Sequence, residues 1–466
     1  MDRTSESKKR LWDERMIDTA RRIVDMALKK GADEAEVFIM RSEGRGFIID
    51  RNSISSISGG MQKGIGIRLV KGKKLGFAYC TEEGKADKAV ERALSLSKLG
   101  KESEFTFPEP DKTIRIDNIY DDSIVEYSAE ESLEGVKNLI SSALEVDPDI
   151  IVTRGGLGYG SEIFVVVNSK GVEVEDKGTE IHTGVNIVLR KNGLSTGFED
   201  FSSRVLDVDF NAIGRRCAEM ALRGQNARKI GNKEMTAVLT PYALSDLLEF
   251  ITAPALYGEA AHKGESVYSG KLGEVVASEN FSIIDDGGLS GGLNSAIVDD
   301  EGVPSKRTEL IGKGVLKGFL HSQGSAIEYN TTTTANAMRA ERLASSRNYK
   351  SIPGVKARNL MVEGETKSVE DLIREVDDGV LVYEVLGAHT SNPASGDFSV
   401  DSPILFKIES GEIAYPIKRA MLSGNFPNCL KKVHAIGDDH KLLTGGLTPV
   451  AFFIPTVSLG GMRVTG

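Results

Sequence analysis

The chain has 466 residues, with 58 Lys+Arg against 68 Asp+Glu and a formal charge of −10. That length accommodates two to three domains at ~100–200 residues each, and 40% apolar with 27% charged residues is the balance of a folded chain, too apolar for a disordered one. The acidic excess argues against a general nucleic-acid binder, and three widely spaced cysteines (Cys80, Cys217, Cys429) exclude a disulfide framework or a thiolate zinc cluster.

The charged first 16 residues carry no signal-peptide core, so the expected compartment is the reducing cytoplasm. No membrane association is expected, because the most apolar late stretch, 450–459, is far short of the ~20 residues that span a bilayer. Met16, Ile17, Ala20, Ile23, Val24, Ala27 and Leu28 share one helical face, and Gly31 supplies the stop. A strand over 35–39 follows. A glycine-punctuated strand pair is expected over 48–79, with Gly59, Gly60, Gly64 and Gly66 at its turns and bends. Ala86, Ala89, Val90, Ala93 and Leu94 mark the next helix, closed by Gly100.

The plan then recurs. Ser128 and Glu131 form a capping box before a helix bearing Leu133, Val136, Ile140 and Leu144. Strands are expected over 150–157 and 164–168, with Gly155-Gly-Leu-Gly-Tyr-Gly160 as a strand turn and Asn168-Ser-Lys-Gly171 as the turn into 172–175. Residues 184–198 echo 64–77 at an offset of 120, and a helix with Phe210, Ile213, Cys217, Met220 and Ala221 on one face follows. The pattern reads as a duplicated helix–strands–helix unit, one copy over 13–107 and a second over 120–230.

From residue 233 the texture turns mostly β, so the whole chain is expected to be α+β, its third domain spanning 233–466. Thr240 as N-cap and Pro241 at N1 open a helix through Leu244, Leu247, Leu248 and Ile251. Residues 310–319 and 406–415 are strand–glycine turn–strand patterns, and Ser368 caps a helix over 369–376.

Chemistry-bearing patterns are sparse. No two of His182, His262, His321, His389, His434 and His440 lie within five residues of each other, so no helix-borne histidine pair for a metal is present. The segment from His434 to His440, with Asp438 and Asp439 between the imidazoles, suits a loop better than a helical face. No Gly-x-Ser-x-Gly elbow lies between a strand and a helix; Cys217 falls on a buried helical face, and Cys429 falls in a loop or turn with no base nearby in sequence. Arg339, Arg342, Arg347 and Lys350 with Glu341 form a local basic run, read as a solvated surface or as a contact for a peptide carboxylate or partner. Two small-residue runs, 387–399 and 423–426, build loops whose amides face either a ligand or a neighbouring strand.

These motifs resemble the TldD/PmbA family of cytoplasmic metalloproteases. Ser266-Val-Tyr-Ser-Gly-Lys-Leu-Gly-Glu274 and Asp299-Asp-Glu-Gly-Val-Pro304 are similar to its central block. Asn392-Pro-Ala-Ser-Gly-Asp397, the run from Ile408 to Pro416 and Ser423-Gly-Asn425 resemble its PmbA (TldE) branch. Residues 31–37 and 66–70 resemble the N-terminal block, so the likeness covers nearly the whole chain. The resemblance implies that TldD-like subunits bind zinc through His-Glu-x-x-x-His on a helix and a later cysteine, with the glutamate as general base. Ungapped counting sets Glu249, Phe250 and Pro254 at the histidine, glutamate and second histidine positions, and Pro449 at the cysteine. No His-Glu-x-x-x-His occurs anywhere in the chain.

The resemblance therefore implies a chain without zinc or other cofactor of its own, paired with a zinc-bearing TldD-like subunit in a protease for extended or leader peptides. A homodimer is the alternative assembly. Ser391, Asn392, Gly396, Asp397, Ser423, Gly424 and Asn425 are the candidate peptide-groove or interface residues. Two other readings compete: an autonomous metallohydrolase with a displaced site drawn from His262, His389, His434, Asp438 and His440, and a binding protein that modulates DNA gyrase. Direct nucleic-acid binding is disfavoured by the acidic charge.

Overall fold

The computed structural model describes residues 15–341 and 346–466. Helix α1 (Met16–Lys29) leads into three antiparallel strands, β1 (Glu34–Asp50), β2 (Ser53–Lys71) and β3 (Lys74–Cys80), and then α2 (Ala86–Ser97). The same order follows as α3 (Ala129–Val146), β4 (Ile150–Asn168), β5 (Glu173–Arg190), β6 (Leu194–Ser203) and α4 (Phe210–Arg223). All six strands join one sheet in the order β3-β2-β1-β4-β5-β6, with β1 and β4 paired antiparallel at its centre. The helices cover one face. α1 and α2 pack on Val37, Ile39, Ile65 and Ile67, and α3 and α4 pack on Phe47, Ile49, Val185 and Ile187.

The capping box is present: the Ser128 hydroxyl accepts from the Glu131 amide while Glu131 reaches back to the Ser128 amide. The expected strand limits are corrected. Residues 150–157 and 164–168 are one strand, and Gly155–Gly160 run through its middle with no turn. Gly59, Gly60, Gly64 and Gly66 likewise lie inside β2, whose hairpins turn at Arg51-Asn52 and Gly72-Lys73, where φ is positive. Gly155, Gly156 and Gly160 serve close approach between strands, Gly64 and Gly66 make room for Tyr349, and a Cβ at Gly59 or Gly60 would meet nothing closer than 3.7 Å. A Cβ at position 156 would come 2.5 Å from the Phe47 carbonyl oxygen, and one at 160 would come 2.4 Å from that of Glu43.

The C-terminal half holds two further large sheets and a two-stranded one. In the larger, Lys233–Leu239 pairs with Asp378–Leu386 on one side and with Val457–Thr465 on the other. Asp397–Glu409 and Ala420–Asn425 complete the ring, closing a small barrel around Ala237, Val380, Phe398 and Leu422. The hairpins expected at 310–319 and 406–415 are present, turning at Lys313-Gly314 and Ser410-Gly411. The helix expected from Thr240 differs in two ways. The Thr240 hydroxyl donates to the Tyr383 carbonyl and leaves the helix uncapped by a side chain. The helix is regular over Pro241–Leu247, widens into a π turn at Leu248–Thr252, and ends at Ala253–Ala255. Such wide turns concentrate at functional positions.

Candidate functional site

Between the uncovered face of the N-terminal sheet and the C-terminal half lies a cavity of about 550 Å³. Its floor is the alternate-residue row of β1, β4 and β5 that includes Gly44, Gly160 and Gly178, with the Arg204 guanidinium lying against Gly178. Glu162, Glu180, His182 and Arg204 stand around that floor, and the loop 444–450 closes one wall.

The π turn reaches this wall. Glu249, 3% exposed, accepts from the amides of Gly446 (2.8 Å), Leu447 (3.0 Å) and Thr448 (2.7 Å) and from the Thr448 hydroxyl (2.7 Å). Three successive N–H groups converging on one carboxylate form an anion nest, here filled from within the chain. Phe250 meets His389 edge to face at 6.1 Å, and Pro449 lines the cavity itself. Of the four positions that the resemblance aligns with a zinc site, only Glu249 carries a donor, and both of its oxygens are engaged. These residues do not fit a zinc ion.

Asp246 stands near both Glu249 and Glu384. Burial, reinforced by Glu249 and Glu384, pushes Asp246 up to about 8, and burial with Asp401 nearby pushes Glu384 up to about 7. The thiols are remote from this chemistry. Cys429 lies in a buried helical turn, Phe426–Leu430, where the sequence suggested a loop, and burial pushes it up to about 11. Cys217 is buried on α4 as expected, its thiol held well above the ordinary value by burial.

The expected groove residues come together at one end of the barrel. Asp397 pairs with Asn425, Phe398 with Gly424 and Ser399 with Ser423. The Asn425 amide donates to the Ser395 carbonyl and the Asp397 carboxylate, and Asn392 bridges back to Asp397. Ser391 and Gly396 sit in the same turn, and none of the seven lines the cavity.

The candidate displaced-site residues lie apart. His262 stacks on Tyr329 at 4.1 Å, His440 lies against Phe453 and the Val362 carbonyl, and His389 sits at Phe250. His434 and Asp438 are exposed. Among the described residues no three His, Cys, Asp or Glu side chains gather as a metal site.

The basic run is corrected as well. Arg339 is fully buried and pairs with Glu36 of β1, and Arg347 bridges Glu162 and Asp300. Arg68 joins them by binding Glu36 and Glu301, which ties the N-terminal sheet to the C-terminal half with buried charges. Lys350 is exposed, and Arg342 lies outside the described residues. No local reading finds this network, because its carboxylates are supplied by strands far off in sequence.

The described residues thus form a helix-backed glycine-rich sheet joined to a β barrel, with a cavity beside the 444–450 loop. Sequence profiles of the PmbA/TldA metallopeptidase domain 1, central domain and C-terminal domain match residues 35–97, 122–225 and 232–466. The chain belongs to the PmbA/TldD metalloprotease family. An uncharacterized protein of Methanocaldococcus jannaschii is 31% identical over 90% of this chain and 94% of its own length. The crystal structure of TldE from Thermococcus kodakarensis superposes with a TM-score of 0.89 at 28% identity, covering 96% of this chain and all of that one. A Thermotoga maritima structure described as a modulator of a DNA gyrase follows at 0.86 and 26%, covering 96% of this chain and 99% of the other.

Proposed function

We propose that the chain is a TldE-like, non-catalytic subunit that pairs with a zinc-bearing TldD-like chain in a cytoplasmic protease for extended peptides. The observation that carries this reading is Glu249: at the position of a metal ligand stands a carboxylate spent on the amides of residues 446–448, flanked by Phe250, Pro254 and Pro449. Phe250 has no atom that takes a proton from water, and proline offers no ligand. The cavity beside this wall is wide enough for part of an extended peptide. Ser391, Asn392, Gly396, Asp397, Ser423, Gly424 and Asn425 are the proposed contact with the partner subunit.

The test is zinc content and peptidase activity of the chain purified alone and co-purified with a TldD-like subunit. The expected result is negligible zinc and no cleavage of an unfolded peptide alone, with both appearing in the complex. About one zinc per isolated chain, lost when His434 and His440 become alanine, would overturn the reading in favour of an autonomous hydrolase.

A further inference from the structure

A row without side chains crosses the floor of the cavity and ends at a carboxylate. Gly60, Gly44 and Gly160 stand directly opposite one another on β2, β1 and β4, and Glu180 of β5 stands opposite Gly160. With about 4.8 Å between neighbouring strands, the row is roughly 14 Å long. Ser42, Glu162 and Gly178 run along one side of it, and Gly46, Gly158 and His182 along the other. Ile181 packs under the helices, so Glu180 projects from the opposite face, into the cavity that Gly44 and Gly160 also line.

The charges around this row do not balance. Glu162 and Asp300 share one guanidinium, that of Arg347. Asp176 accepts from the amides of Lys177 and Ile297, and the Lys177 ammonium lies over the Tyr120 ring, 3.6 Å from its centre. Arg204 gives its terminal nitrogens to the carbonyls of Ile119, Gly292, Leu293 and Ser295 and forms no ion pair among the described residues. Glu180 is exposed to the cavity, and its side chain has no partner among the described residues. Four carboxylates (Glu162, Asp176, Glu180 and Asp300) therefore face two guanidinium groups. Burial raises Glu162 above the ordinary carboxylate value even with Arg347 against it, and the Asp300 and Glu180 charges add to the rise.

An independent observation lies one strand over. Ser202 of β6, opposite His182 and 6% exposed, lines the cavity, and its hydroxyl has no partner among the described residues. A buried hydroxyl left unpaired is costly, so such a group marks a place where a ligand supplies the missing bond. Glu180 and Ser202 are diagonal neighbours, about 7–8 Å apart at their Cα atoms, and a small polar head between them reaches both.

We propose that the cavity selects a lysine or arginine side chain of a bound peptide, its stem lying along the glycine row and its cationic head on the Glu180 carboxylate, with the Ser202 hydroxyl as a second acceptor. A long unbranched stem suits a narrow row of glycines, while its head seeks charge. The inference rests on the reading that the cavity takes an extended peptide, and it names the residue that such a peptide must carry.

The test is calorimetric titration of the full chain with acetyl-Ala-Ala-Lys-Ala-Ala-amide and with its norleucine analogue, which keeps the stem and lacks the ammonium. The lysine peptide should bind about tenfold more tightly, as a charge-assisted hydrogen bond to a carboxylate allows. Glu180→Gln should abolish the preference and Glu180→Asp should keep part of it. Ser202→Ala should weaken the lysine peptide several-fold and leave the norleucine peptide unchanged, with circular dichroism checking that each variant is folded. Equal binding of the two peptides would overturn the inference and leave the peptide-cavity reading standing, whereas binding of neither would overturn both. A lysine preference that survives Glu180→Gln overturns the placement. Tighter binding of a lysine-free peptide with a free amino terminus assigns the ammonium to the chain end and overturns the side-chain assignment.

Discussion

Removing the Glu249 carboxylate should loosen the cavity wall and cost measurable stability. The group accepts four hydrogen bonds at 2.7–3.0 Å from residues 446–448 while 3% exposed. A hydrogen bond to a charged group is worth about 1.5–3 kcal/mol, but these four share one acceptor group and do not add. Gly446 and Leu447 are exposed, so their amides can turn to water once released, whereas half-buried Thr448 is less able to. Relief of Asp246, whose proton is held partly by the Glu249 charge, returns some of the loss. Glu249→Ala should therefore cost about 2–4 kcal/mol. Glu249→Gln keeps the acceptor facing Leu447 and Thr448 but turns an NH₂ toward the Gly446 amide, and should cost about 1–2 kcal/mol. Denaturant midpoints report the total, and hydrogen exchange at 446–448 reports the place. Equal midpoints for wild type and Glu249→Ala, with unchanged exchange at those amides, would refute the argument that this carboxylate holds the loop.

Two further outcomes follow from buried charge. Glu36→Ala takes the ion-pair carboxylate from Arg339 and leaves Arg68 with Glu301 alone, their side chains being 0% and 2% exposed, and should lower stability by about 3–5 kcal/mol in equilibrium unfolding. Asp246 titrates near 8 when folded against an ordinary carboxylate value, so the folded state holds more protons across that interval and stability falls as pH rises toward 8. Asp246→Asn should flatten this slope and raise the melting temperature at pH 9 relative to wild type, while leaving it nearly unchanged at pH 5; a parallel shift at both pH values would contradict the assignment.

Features written within a few residues were legible in the sequence. The capping box at Ser128, the cap at Ser368 and the two glycine hairpins of the C-terminal half each depend on neighbours in the chain, and each is present. Gly155–Gly160 was not legible, because its glycines are required by the carbonyls of Phe47 and Glu43 on a strand about a hundred residues earlier, while glycine's turn preference is local. Arg339 and Arg347 looked solvated for the same reason. Their carboxylates come from β1, β4 and the turn at Asp300, and only the folded chain brings them into range.

The aligned metal positions show the limit more sharply. In the sequence they register only as ligands that are missing, and a missing ligand says nothing about what stands there. In the fold, Glu249 joins the π turn to the 444–450 loop, the same two elements that a zinc held by helix histidines and a loop cysteine would join in the TldD-like subunits implied by the resemblance. A carboxylate in an amide nest can replace that cross-link without replacing the Lewis acid. Under the proposed subunit role, the cavity wall is kept without the chemistry, and a subunit selected for shape would retain Glu249 and tolerate Phe250, Pro254 and Pro449. In the proposed complex with a TldD-like subunit, ablating the nest should accordingly act more through loss of the cavity than through the zinc of that subunit, which a rise in KM at unchanged zinc content would register.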